Sequence, residues 1–103
     1  MDEKCWSQAA AIEDVPPGKS KAVNISGKSI LLCHDDRIYA VENQCSHAHE
    51  ALDCGRIKHG WVACPVHGAR FDLETGEAIN PPATEPIATF PVRIVDGIIE
   101  VAI

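Results

Sequence analysis

Two short stretches of this chain each pair a thiol with an imidazole. Cys45-Ser46-His47 and Cys64-Pro65-Val66-His67 place one cysteine and one histidine on each of two tight loops, with sixteen residues between His47 and Cys64. Two donors on one loop favour metal binding, because ordering the second costs little chain entropy once the first is bound. Two thiols and two imidazoles could hold tetrahedral zinc, but zinc spacing ordinarily pairs like with like, two cysteines and then two histidines. Here each pair is mixed. That mixture suits a two-iron cluster in which one iron takes both thiolates and the other both imidazoles, one of each from each loop. A zinc-stapled structural module is the alternative.

Composition narrows the setting. Five cysteines are an odd number in a chain that begins Met1-Asp2-Glu3-Lys4, without the basic and apolar regions of an export signal. Thiols in a reducing compartment stay reduced, so metal binding or inert burial outranks a disulfide framework, and a cytoplasmic location is expected. A net charge of −6 argues against a nucleic-acid or anionic-membrane surface. No apolar run approaches the ~18 residues of a membrane span. With 103 residues, 46% hydrophobic and 23% charged, a single globular domain over 1–103 is expected.

The elements that must position the loops read as strands. No window keeps apolar residues at helical spacing over eleven or more positions. Residues 29–34 and 37–42 form two apolar runs joined at Asp35-Asp36, which predicts a β-hairpin. Strands are also expected at 22–25, before Ser26-Gly27, at 61–63, and with less definition around Cys5-Trp6-Ser7. In 89–95, Phe90, Val92 and Ile94 share one face, and Ile99, Val101 and Ile103 repeat the pattern after Asp96-Gly97. Pro91 demotes the first of these runs to an edge strand or bulge. The expectation is an all-β fold, a small antiparallel barrel or sandwich of eight to ten short strands. Residues 43–72 break its rhythm and read as an inserted subdomain of two ligand loops around the short strand 61–63.

The pattern C-x-H…C-x2-H followed by Gly68 resembles the Rieske [2Fe-2S] signature. With Cys45-Ser-His-Ala-His-Glu50, Cys64-Pro-Val-His-Gly-Ala-Arg-Phe-Asp72, the Thr75-Gly76 turn and Pro81-Pro82, the chain is similar over nearly its whole length to Rieske-type ferredoxins of bacterial aromatic ring-hydroxylating dioxygenase systems. The resemblance implies a Rieske fold with one [2Fe-2S] cluster per chain, held by Cys45, His47, Cys64 and His67. It implies an electron-transfer component rather than an enzyme, since all ligand positions on the irons are filled. Its partners would be an NAD(P)H-dependent flavoprotein reductase and a terminal Rieske oxygenase, with the carrier a monomer that binds neither nucleic acid nor membrane. Two thiolates and two neutral imidazoles leave the oxidised site neutral, which makes adding an electron easier than at an all-thiolate site.

The remaining candidates have bland readings. Cys5 and Cys33 are expected as small buried apolar groups, Cys54 as structural, and His49 as a solvent-facing neighbour, because the family pattern puts the iron bond on His47. His34 and His59 are expected at the surface, and Trp61 in packing. A small subunit of an assimilatory nitrite reductase is a further alternative, weakened because such subunits often lack the ligands that this chain retains. High-potential respiratory relatives carry a disulfide where this chain has Glu50 and Val66. They also carry Ser and Tyr hydroxyls where it has Ala69 and Phe71, so a low reduction potential is expected.

Overall fold

Alternation along one strand divides the molecule into two cores. The computed structural model describes residues 6–45, 51–52, 55–65, 68–80 and 85–103. Among them run β1 (Trp6–Ala11), a 3-10 turn (Ile12–Asp14), β2 (Ser20–Ile25), β3 (Lys28–His34), β4 (Ile38–Glu42), β5 (Ile57–Lys58), β6 (Trp61–Ala63), β7 (Arg70–Asp72), β8 (Thr89–Phe90), β9 (Val92–Val95) and β10 (Ile98–Ala102). They build three antiparallel sheets, ordered β1-β10-β9, β2-β3-β4-β8 and β5-β6-β7. The all-β expectation holds. No helix among the described residues is long and apolar enough to cross a membrane.

Side chains alternate across a strand, so a run that is apolar without interruption must be covered on both faces. On β3, Ile30 and Leu32 enter one core with Val15, Ile25, Ile38, Ala40, Ile99 and Val101. Leu31 and Cys33 point the other way, into a core with Val41, Cys45, Leu52, Val62, Cys64, Ala69, Phe71, Leu73 and Ile87. The sheet β2-β3-β4-β8 thus lies between the terminal sheet and the subdomain that carries the cysteines. Burying each such aliphatic side chain contributes about 1.5–3 kcal/mol, so the second core both holds the subdomain down and keeps water from its thiols.

Each sheet contains one two-residue hairpin whose central residues both have positive φ, as a type I′ turn requires. They are Ser26-Gly27 (53° and 82°), His59-Gly60 (49° and 82°) and Asp96-Gly97 (51° and 77°). The hairpin at Asp35-Asp36 forms as expected, with His34 opposite Ile38.

Three expectations are revised. Pro91 does more than mark an edge: β8 pairs with β4 while β9 pairs with β10, so the chain changes sheets there. Proline has no N–H to offer a ladder, which makes it the natural point of departure. Ile94, expected to share a face with Phe90 and Val92, lies on the edge strand β9 and is 43% exposed. The insertion is not loop alone, since β5 and β7 flank β6 in a sheet of its own.

Candidate metal centre

Each ligand loop leaves a paired strand, and each is closed by hydrogen bonds. The second is the connection of the β6–β7 hairpin, where Ala63 lies opposite Arg70. Cys64 N–H donates to Ala69 O at 2.6 Å, extending that ladder by one rung, and Gly68 N–H returns to Cys64 O at 2.9 Å. Cys64 is thereby fixed at the main chain on both sides. The first loop leaves β4. Asn43 N–H donates to Ser29 O at 3.1 Å, continuing the β3–β4 pairing, and Cys45 follows two residues later.

Asn43 closes that loop with its side chain. Its Nδ2 donates to Ser29 Oγ at 3.0 Å, and its Oδ1 accepts Leu52 N–H at 2.8 Å in a buried setting. Nothing in the local spacing announces this, since the acceptor and donor are nine residues apart. The only cue is a polar residue at a strand end, directly before a ligand loop. Leu52 O then accepts Gly55 N–H at 2.8 Å, and Ala63 N–H donates to Arg56 O at 2.9 Å. Gly55 is required by close approach: a Cβ there would sit 1.9 Å from Ala63 O. The two loops are consequently stitched together through β5 and β6.

Cys45 and Cys64 are both buried in the core that contains Leu52, Val62, Ala69, Phe71 and Leu73. The structure therefore brings together two of the four predicted ligands. His47 and His67 lie outside the described residues, as do Cys5, Cys54, His49, Glu50, Val66, Pro81 and Pro82. For the same reason, among the described residues no group of three or more His, Cys, Asp or Glu side chains could hold a metal ion. Two thiols buried in one apolar core are soft donors, suited to iron–sulfur or zinc chemistry and unsuited to hard cations.

Cys33 shares this core but behaves differently. It sits within β3, fully buried, and burial pushes its thiol up to about 12. It is an apolar filler, as expected. Trp61 is half-buried, and the Arg70 guanidinium lies 5.1 Å from its ring centroid. His59 is exposed in its turn. His34 departs from expectation, being half-buried with its Nδ1 2.6 Å from Val15 O. The subdomain is also tethered to the scaffold turn, because Gly60 N–H donates to Asp35 Oδ2 at 2.6 Å.

Comparison with known proteins places this geometry. The Rieske [2Fe-2S] domain family matches residues 5–91. The ferredoxin component of the naphthalene 1,2-dioxygenase/salicylate 5-hydroxylase systems of a Ralstonia species is 38% identical over 90 residues, 86% of each chain. The solved ferredoxin of carbazole 1,9a-dioxygenase from Nocardioides aromaticivorans superposes with a TM-score of 0.90 at 31% identity, covering 94% of this chain and 96% of that one. A chain from a complex of reduced oxygenase and oxidized ferredoxin in carbazole 1,9a-dioxygenase gives 0.88 at 30% identity, covering 97% and 94%.

Proposed function

The chain belongs to the Rieske [2Fe-2S] domain family, and from that membership we propose that it is a one-electron carrier of an aromatic-ring dioxygenase system. It takes electrons from an NAD(P)H-dependent flavoprotein reductase and delivers them to a terminal oxygenase, as a cytoplasmic monomer. The observation that carries this reading is the burial of Cys45 and Cys64 in one core, each followed in the sequence by a histidine two or three residues on. The donor set fits one [2Fe-2S] cluster per chain, with Cys45 and Cys64 on one iron and His47 and His67 on the other. When bound, the cluster gains and loses a single electron.

The protein's own contribution is placement and charge. Thiolates at 45 and 64 offset positive charge at the buried side of the site, while the histidines add none in their neutral form. Leu52, Val62, Phe71 and Leu73 exclude water around the sulfurs. The Cys64–Ala69, Cys64–Gly68 and Asn43–Leu52 hydrogen bonds hold both loops, a rigidity that favours a small structural rearrangement on reduction.

Reconstitution tests the reading. The purified protein should contain two irons and two acid-labile sulfides per chain, colour red-brown, and become paramagnetic on reduction by NAD(P)H and the reductase. Product formation by the oxygenase should depend on it. A colourless protein containing zinc, or oxygenase turnover unchanged when the protein is omitted, would overturn it.

A further inference from the structure

The two buried thiols leave different sheets. Cys45 follows β4 of the central sheet, whereas Cys64 follows β6, which is paired with β5 and β7. A metal centre held by both therefore depends on how the two sheets are set against each other. The shared core presses them together, but apolar packing is non-directional and leaves tilt weakly determined. A directional contact has to settle the angle.

The turn between β3 and β4 supplies one. Asp35 Oδ2 accepts the Gly60 N–H at 2.6 Å, while Gly60 O accepts the Leu73 N–H at 2.8 Å. The β5–β6 turn is thus held by the scaffold through one group of Gly60 and by its own subdomain through the other. The Asp35 side is braced in turn. Asp35 N–H donates to Arg37 O at 3.1 Å, and His34 N–H donates to Lys19 O at 3.0 Å. His34 O accepts the Gly18 N–H at 2.7 Å, and His34 Nδ1 lies 2.6 Å from Val15 O. Arg37 reaches Glu74 of the subdomain at 3.1 Å, but both side chains are exposed and such a pair contributes little. A carboxylate accepting a part-buried main-chain N–H is the stronger tie.

We propose that Asp35 is a positioning residue of the metal centre: by holding Gly60 it sets the angle at which the subdomain presents Cys64 to Cys45. The proposal rests on the cluster reading. Gly60 and Cys64 stand at opposite ends of β6, four residues or about 13 Å of extended chain apart. Over that length a tilt of about 5° displaces Cys64 by about 1 Å, more than the ~0.5 Å within which a functional constellation must be held.

The test uses the cluster-loaded protein, with hydrogen exchange resolved to single amides by mass spectrometry and electron paramagnetic resonance of the reduced state. In the wild type the Gly60 amide, although in a turn, should exchange as slowly as that of Ala63, which donates to Arg56 O. In Asp35→Ala, exchange at Gly60, Ala63 and Cys64 should quicken about tenfold. The reduced spectrum should broaden as the spread of ligand geometries widens. Asp35→Asn keeps an acceptor, as Asn43 does for Leu52, and should restore both properties. Val101→Ala, which opens a cavity in the other core, should lower the melting temperature without broadening the spectrum. A freely exchanging Gly60 in the wild type, an unchanged spectrum in Asp35→Ala, no rescue by asparagine, or equal broadening in Val101→Ala would overturn the proposal. A wild type that binds no iron would overturn the cluster reading instead, while Gly60 exchange would still test the tie to Asp35.

Discussion

The side chain of Asn43 accepts the main-chain N–H of Leu52 at 2.8 Å, joining the two ends of the first ligand loop. Asn43 is the one buried polar side chain among the described core residues, and its Nδ2 anchors it to Ser29 Oγ. Truncating it leaves the Leu52 N–H buried without an acceptor, which costs about 1–3 kcal/mol. Asn43→Ala should therefore lower the melting temperature and release iron faster in a chelator challenge. A variant that retains iron at the wild-type rate would show that the loop does not depend on this clamp.

The ligand assignment makes a sharper demand. Alanine at Cys45, His47, Cys64 or His67 should abolish the cluster, with iron and sulfide falling to near zero and the melting temperature dropping, because metal binding contributes to folding. Cys33→Ala and Cys54→Ser should load fully. A complete cluster in His67→Ala, or none in Cys54→Ser, would refute the set.

How much of this was legible in the sequence follows from range. Type I′ turns are encoded by adjacent residues, and Ser26-Gly27 and Asp96-Gly97 were readable for that reason, as was the hairpin over 29–42. The ligand spacing is equally local. What escaped is either too short to show a pattern or depends on partners far along the chain. β5 has only two residues, paired with β6 across the His59-Gly60 turn, and no alternation can be read from two positions. Pro91 announced an interruption but not that its two sides join different sheets. His34 looked like an exposed strand end because its ring partner, the carbonyl of Val15, lies nineteen residues away.

Cys33 gives the protein an alkaline weakness. Its thiol is raised by burial from 9.0 to about 12, so the folded protein holds the proton more tightly than the unfolded chain does. Its contribution is complete below about pH 9 and is lost as pH rises toward 12. Within that window stability should fall by up to roughly 1.4 kcal/mol per pH unit more in the wild type than in Cys33→Ala. Urea midpoints of both proteins between neutral pH and the alkaline limit of cluster stability measure it. Parallel profiles would mean that Cys33 ionises as freely folded as unfolded.

The reduction potential should lie at the low end of the Rieske range, near about −150 mV rather than +300 mV. The reason lies in two residues that touch the same core as both cysteines. Ala69 and Phe71 are fully buried there, and Ala69 O already accepts the Cys64 N–H. Where the chain's high-potential relatives carry serine and tyrosine hydroxyls, neither of these side chains has a donor to offer sulfur. Reduction adds negative charge to the sulfurs, so a donor stabilises the reduced state and its absence lowers the potential. A hydrogen bond to a charged group contributes ~1.5–3 kcal/mol, but it is present in both redox states and only the difference counts. At about 59 mV per 1.4 kcal/mol for one electron, each hydroxyl is worth at most on the order of 100 mV. Voltammetry on the wild type, Ala69→Ser and Ala69→Ser/Phe71→Tyr should show the potential rising with each hydroxyl. A wild-type value above zero, or a double variant with no upward shift, would overturn the argument. It would also steepen the fall from a nicotinamide-driven flavin at the expense of the onward step, leaving too little driving force to reduce the oxygenase.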